Sequence, residues 1–219
     1  MAAEYVFHEE GYREYQDEIN NSEGFYVMSD YGRILINGIV KVENRNALEK
    51  AEDAARFAVK QYNEKENANW EFLKILNLNM EPAAGSMYYI TLEAKNTSNN
   101  EVNHYQAKVW ARINTGFRVE VFRLAPYAAK SSESSRDDRC YIRIENLQSW
   151  MDENYLYYKC FYTARELLSI KVIRNEDGNQ SEGHGFLQFE TPSAAEKFLV
   201  FYKEKQMPSS NQSYKLALV

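Results

Sequence analysis

Hydrophobic positions recur with a helical period in one stretch of the first half. Leu48, Ala51, Ala55, Ala58, Val59 and Tyr62 fall three or four residues apart, with Lys and Glu between them. Asn46 followed by Glu49 reads as a capping box that opens this helix. The period then drops to two. Leu76, Leu78 and Met80 alternate with Asn77 and Asn79; Tyr88, Ile90, Leu92 and Ala94 follow; then Tyr105, Ala107, Val109 and Ala111; then Phe117, Val119 and Val121. Turn-forming stretches at 81–86, 96–100 and 114–116 separate these runs. One helix followed by four antiparallel strands predicts a sheet wrapped around a helix.

The second half carries a different order. A strand at 140–144 precedes a helix-like run at 152–164. Strands at 168–173 and 183–189 follow, joined by a turn at Asp177-Gly178, then a helix-like run at 193–205 and a strand at 214–218. The order β-α-β-β-α-β in such a short stretch is the ferredoxin-like plan. Between the halves lies AAKSSESSRDD (128–138), which has no large apolar side chain and reads as an exposed linker.

The chain has 219 residues, and no window is apolar enough to predict a membrane span. Its start is acidic and broken by charge, unlike a secretory signal. Two cysteines, Cys140 and Cys160, suit a reducing compartment, so a nuclear or cytoplasmic location is expected. The net charge of −6 argues against binding nucleic acid by bulk charge. Residues 1–135, however, hold 15 basic and 20 acidic side chains against 11 and 12 in residues 136–219, so the second half is nearly neutral. His8, His104 and His184 are far apart and give a metal site no support. No nucleophile–base–acid set or phosphate loop can be assembled, so neither an enzyme nor a cofactor is expected.

The stretch AARFAVKQYN (54–63) resembles the helix signature of plant cystatins, with Ala54 where Leu is usual. Residues 67–72, 85–89, 91–95 and 106–110 are similar to cystatin sequence in the same order, and residues 4–30 look like the acidic extension of a plant cystatin-like family. The resemblance implies a cystatin-like domain at 36–127 behind an N-terminal extension at 1–35. It also implies inhibition of papain-like cysteine proteases through an N-terminal glycine and two hairpin loops. Gly38 is the candidate glycine, and the first loop reads Glu81, Pro82, Ala83, Ala84, Gly85. Only the glycine of the family's QxVxG loop is kept. The second loop, at 113–116, has neither Pro nor Trp.

In the second half GHGFLQF (183–189) resembles the RNP1 motif of an RNA recognition motif, and IRIENL (142–147) stands where RNP2 belongs. Residues 147–156, 171–175, 180–183 and 194–197 are similar to the first such motif of plant poly(A)- and U-rich-RNA-binding proteins. The resemblance spans 139–219. Period two turns Ile142, Ile144, Ile170, Val172, Leu187 and Phe189 to one face. That leaves Arg143, Lys171, His184, Phe186 and Gln188 for the other, as candidates to bind single-stranded RNA. Arg143 occupies the usual RNP2 ring position and His184 the first RNP1 ring position. The expected fold is therefore α+β: a cystatin-like helix wrapped by an antiparallel sheet, then a ferredoxin-like RNA recognition motif. The expected function is non-enzymatic RNA binding, with the cystatin-like domain as an interaction module. Two alternatives stay open: inhibition of a papain-like protease, and protein–protein interaction only.

Overall fold

The structure, a computed structural model, describes residues 8–128, 140–175 and 180–219. The expected linker beyond Ala128 and the turn at Asp177-Gly178 lie outside the described residues. The chain divides into two compact units, Met1–Ala125 and Pro126–Val219.

The first unit runs α1 (Glu9–Ser22), a 3-10 turn (Asp30–Ile34), β1 (Val40–Lys41), α2 (Arg45–Glu66), β2 (Trp70–Ala83), β3 (Gly85–Asn96), β4 (Val102–Arg112) and β5 (Gly116–Leu124). The strands pair antiparallel in chain order. Helix α2 lies on one face through Ala51, Ala54, Ala55 and Ala58, all fully buried. Four methyl side chains on one stripe let the helix axis approach the sheet closely, where Phe72, Ile90, Leu92 and Val109 fill the space. Rings of Tyr62, Tyr105 and Phe122 close the far end, with centroids 4.7–6.0 Å apart.

The helix begins earlier than the Asn46–Glu49 spacing predicts. Asn44 is the cap, its side chain accepting a hydrogen bond from the Ala47 amide at 2.9 Å. Glu49 is engaged by Arg45 instead, with Nε to Oε1 at 3.2 Å.

The N-terminal extension forms a layer that the hydrophobic periodicity does not predict. Helix α1 and residues Gly24–Val27 cover the sheet face opposite α2, with Tyr15, Phe25, Val27, Ile39 and Tyr89 in a second core. Two polar residues of the strand alternation are therefore covered. Asn77 and Asn79 donate their side-chain amides to the carbonyls of Phe25 and Gly24, each at 2.8 Å. Arg123 pairs with Glu23 at 2.8 Å and lies over the Phe25 ring.

The second unit contains β6 (Cys140–Glu145), a π-helical segment (Tyr155–Cys160), β7 (Leu167–Arg174), β8 (Ser181–Phe189), α3 (Pro192–Tyr202) and β9 (Lys215–Leu218). Its sheet has the order β7-β8-β6-β9, all neighbours antiparallel. The expected run at 152–164 is shorter than its pattern suggests. The Phe161 amide bonds back to the Leu156 carbonyl at 2.9 Å, one residue beyond α-helical spacing, and the helix stops there. This wide last turn drops Phe161 into the core against Phe198 and Tyr214. The Phe189 ring meets Phe198 of α3 at 4.8 Å on the same side.

Strand β7 is an edge strand whose amides find partners outside the sheet. The Ile170 amide donates to the Tyr127 carbonyl at 3.0 Å, and the Val172 amide to Glu153 Oε1 at 2.9 Å. Tyr127 thus packs within the second unit, which begins at Pro126. Glu153 is 3% exposed and is neutralised by the Arg174 guanidinium.

Candidate nucleic-acid interface

The helices of the second unit occupy one face of its sheet, and the strand register lays out the other as rows. Lys171 of β7 opposes Phe186 of β8, which opposes Arg143 of β6, which opposes Ala217 of β9. In the row on one side stand His184, Glu145 and Lys215; in the row on the other stand Ser169, Gln188 and Tyr141. Alternation explains the grouping, because Ile142, Ile144, Leu187 and Val172 all point into the core. Gly185 holds the strands close: a Cβ there would lie 2.6 Å from the Lys171 carbonyl oxygen, so a side chain would push β7 away.

Phe186 is half-buried with its ring on this face, 6.2 Å from the His184 ring at 81°. Lys171 and Arg143 flank it, both exposed. A flat ring between two cations suits an unstacked nucleobase and the phosphates beside it. The row of His184 differs in charge. Glu145 Oε2 takes Lys215 Nζ at 2.5 Å and Oε1 takes Arg143 Nε at 3.3 Å. Hydrogen bonding from Lys215, helped by its charge, holds the Glu145 carboxyl below its usual range, so it stays anionic. One carboxylate therefore tethers two of the face's cations.

The five residues expected to meet RNA do share this face, but not on equal terms. Gln188 is only 9% exposed, and its Oε1 accepts a hydrogen bond from Ser169 Oγ at 2.9 Å, so it forms part of the floor. Arg143 leans on Glu145 rather than standing free as a stacking plane. Sequence reasoning missed Lys215 and the tether on Glu145. The signal was available: Lys215 and Ala217 alternate with Leu216 and Leu218 in the last strand.

The first unit brings the protease-contact candidates to one end of its sheet, since Gly85 opposes Arg112 and Arg112 opposes Gly116. Pro82, Ala83 and Ala84 are exposed at the first hairpin tip. Gly38 is not on a free N-terminal arm. Its backbone packs directly against that of Gly32, whose carbonyl oxygen would lie 2.1 Å from a Cβ at Gly38. The Tyr15 hydroxyl fixes the next residue, taking the Ile39 amide at 2.7 Å. Glu81 accepts a hydrogen bond from the Tyr89 hydroxyl at 2.7 Å, and Gly85 sits at φ 111 against the Ala111 carbonyl. The loop thus offers small side chains and a carboxylate already engaged.

Comparison with known proteins agrees with both folds. Residues 38–121 match the family model of the cystatin domain, and residues 142–212 match that of the RNA recognition motif. The chain therefore combines a cystatin-type domain with an RNA recognition motif. Within the second region, polyadenylate-binding protein RBP47 of Nicotiana plumbaginifolia is 46% identical over 84 residues, which is 38% of this chain and 19% of that protein. Polyadenylate-binding protein RBP45 of the same plant is 51% identical over 73 residues, 33% of this chain and 18% of that protein. The chain thus spans about a fifth of the length of these curated relatives. Among solved structures, the first two RRM domains of the yeast poly(U)-binding protein align with 18% identity and a TM-score of 0.34, over 49% of this chain and 61% of that one.

Proposed function

We propose that the protein binds single-stranded RNA on the open sheet face of its second unit, without catalysis, and that the cystatin-type unit serves as an interaction module. One observation carries this reading: Phe186 lies in a cross-strand row between Lys171 and Arg143 on the face that the helices leave open. Phe186 and His184 take bases, Lys171 takes backbone phosphate, and Gln188 supports the floor beneath them. The naming of relatives as polyadenylate-binding proteins supports RNA as the ligand class. A nuclear or cytoplasmic location follows from that ligand. Inhibition of a papain-like protease is the weaker reading, because the packed Gly38 and the engaged Glu81 leave little to enter a cleft.

Fluorescence anisotropy of the full chain with labelled oligoadenylate and oligouridylate tests the reading. Binding weakens as salt rises, and Phe186→Ala loses about 1–3 kcal/mol, the worth of one base–aromatic stack. Absence of salt-sensitive binding, or unchanged affinity in Phe186→Ala, overturns it.

A further inference from the structure

The ring expected at the RNP2 position is replaced by Arg143, and the structure ties that guanidinium to Glu145. The tether draws Arg143 toward the row of His184 and away from the opposite row. A ring is present in that opposite row. Tyr141 is two residues before Arg143 on the same strand, 38% exposed, and opposes Gln188 in the register. Its neighbour on β8 is low, while Val219 beside it is itself exposed. Gln188 is held down by Ser169, and on the other side Val219 donates its amide to the Tyr141 carbonyl at 3.0 Å. The Tyr141 ring is therefore partly exposed, with the low, polar Gln188–Ser169 pair on its β8 side.

We propose that Tyr141 is a further base-stacking position on this face, taking the nucleobase next to the one on Phe186 in the same RNA strand. The inference rests on RNA binding at the face of Phe186. The spacing supports it. Tyr141 and Phe186 are diagonal neighbours on adjacent strands, about 7–8 Å apart at their backbones. That separation is within the reach of two successive nucleotides splayed out of a single strand. A ring one row removed makes up for the ring that Arg143 replaces, with the stacking line moved along the strands.

Binding of the full chain to labelled oligoadenylate and oligouridylate separates this proposal from the reading it rests on. Tyr141→Ala weakens binding about tenfold or more, Tyr141→Phe keeps it, and neither changes the slope of affinity against salt, since no phosphate interaction is removed. Ultraviolet cross-linking followed by mass spectrometry places the RNA adduct on the peptide containing Tyr141. If Phe186→Ala weakens binding and Tyr141→Ala does not, Tyr141 has no stacking role and the RNA reading survives. If the unaltered chain does not bind either oligonucleotide, both fall together.

Discussion

The packing of Tyr127 against strand β7 sets a quantitative expectation for where the second unit begins. Tyr127 is 1% exposed, its ring packs 6.1 Å from that of Tyr157, and its carbonyl takes the Ile170 amide. A tyrosine of this burial removes about 150–250 Å² from water. At about 25 cal/mol per Å² that is roughly 4–6 kcal/mol, reduced by up to about 40% for a compact unfolded chain. Tyr127→Ala should therefore cost about 3–5 kcal/mol, in line with other large-to-Ala substitutions in cores. A unit of this size has about 5–14 kcal/mol in total, so the loss is about a fifth of its stability at the least. In urea titrations of the full chain, the transition of the second unit falls by about 2–3 M at an m-value of about 1.5 kcal/mol/M. Hydrogen exchange assigns the change, because the amides of Ile170 and Val172 lose protection while those of α2 do not. Tyr127→Phe keeps the ring and stays within about 1 kcal/mol of the parent. An Ala variant within about 0.5 kcal/mol of the parent would show that this segment is not part of the second core.

Other side chains give equally specific expectations. Glu145→Gln releases Arg143 and Lys215 on the sheet face, so RNA affinity rises, and a plot of log affinity against log salt steepens by about 0.7 for each further phosphate neutralised. Asn44→Ala costs about 1 kcal/mol in thermal or chemical denaturation, while Asn46→Ala, at an exposed helical position, stays within about 0.5 kcal/mol. Burial raises the phenol pKa values of Tyr127, Tyr155 and Tyr214 above the ordinary 10.0. The unfolded chain then releases these protons first, so stability is full below about pH 10 and declines as pH rises past it. Circular dichroism followed against pH shows alkaline unfolding that Tyr127→Phe shifts upward.

What is legible in the sequence depends on how far each contact reaches along the chain. The strands and α2 are readable because alternation and the spacing of Ala51, Ala55, Ala58 and Val59 are local patterns imposed by a single buried face. The row of Phe186 is readable for the same reason, since Arg143, Lys171 and Phe186 are each fixed by the apolar residues beside them. The N-terminal layer is not. Tyr15, Glu18 and Ser22 are buried at helical spacing, but two of the three are polar, and Tyr15 and Glu18 meet their partners, the Ile39 backbone and the Met28 and Ser29 amides, well beyond the helix. Asn79 reads as a solvent-facing residue because nothing local reveals the Gly24 carbonyl it meets. The cap at Asn46 is ambiguous from sequence, as two asparagines stand at usable positions and the Arg45–Glu49 pair removes the second half of the box.

The two sheets also show why one of them is the better candidate for a ligand. Both present polar residues on the face away from the helices that fill their cores, as alternation requires. In the first unit part of that face is closed over: Asn77 and Asn79 are matched to backbone carbonyls of the N-terminal layer, and Tyr89 is packed edge-on by Phe25. A ligand would have to displace that layer and its core of Tyr15, Phe25 and Val27 before touching this part of the sheet. In the second unit the corresponding face keeps Tyr141, Arg143 and Lys171 exposed, and the tie on Arg143 is to a single surface carboxylate. Water screens such an exposed ion pair, so it stabilises little and yields readily to a phosphate. Binding there needs no disruption of a core, so the accessible chemistry and the low cost of access coincide on the face of Phe186.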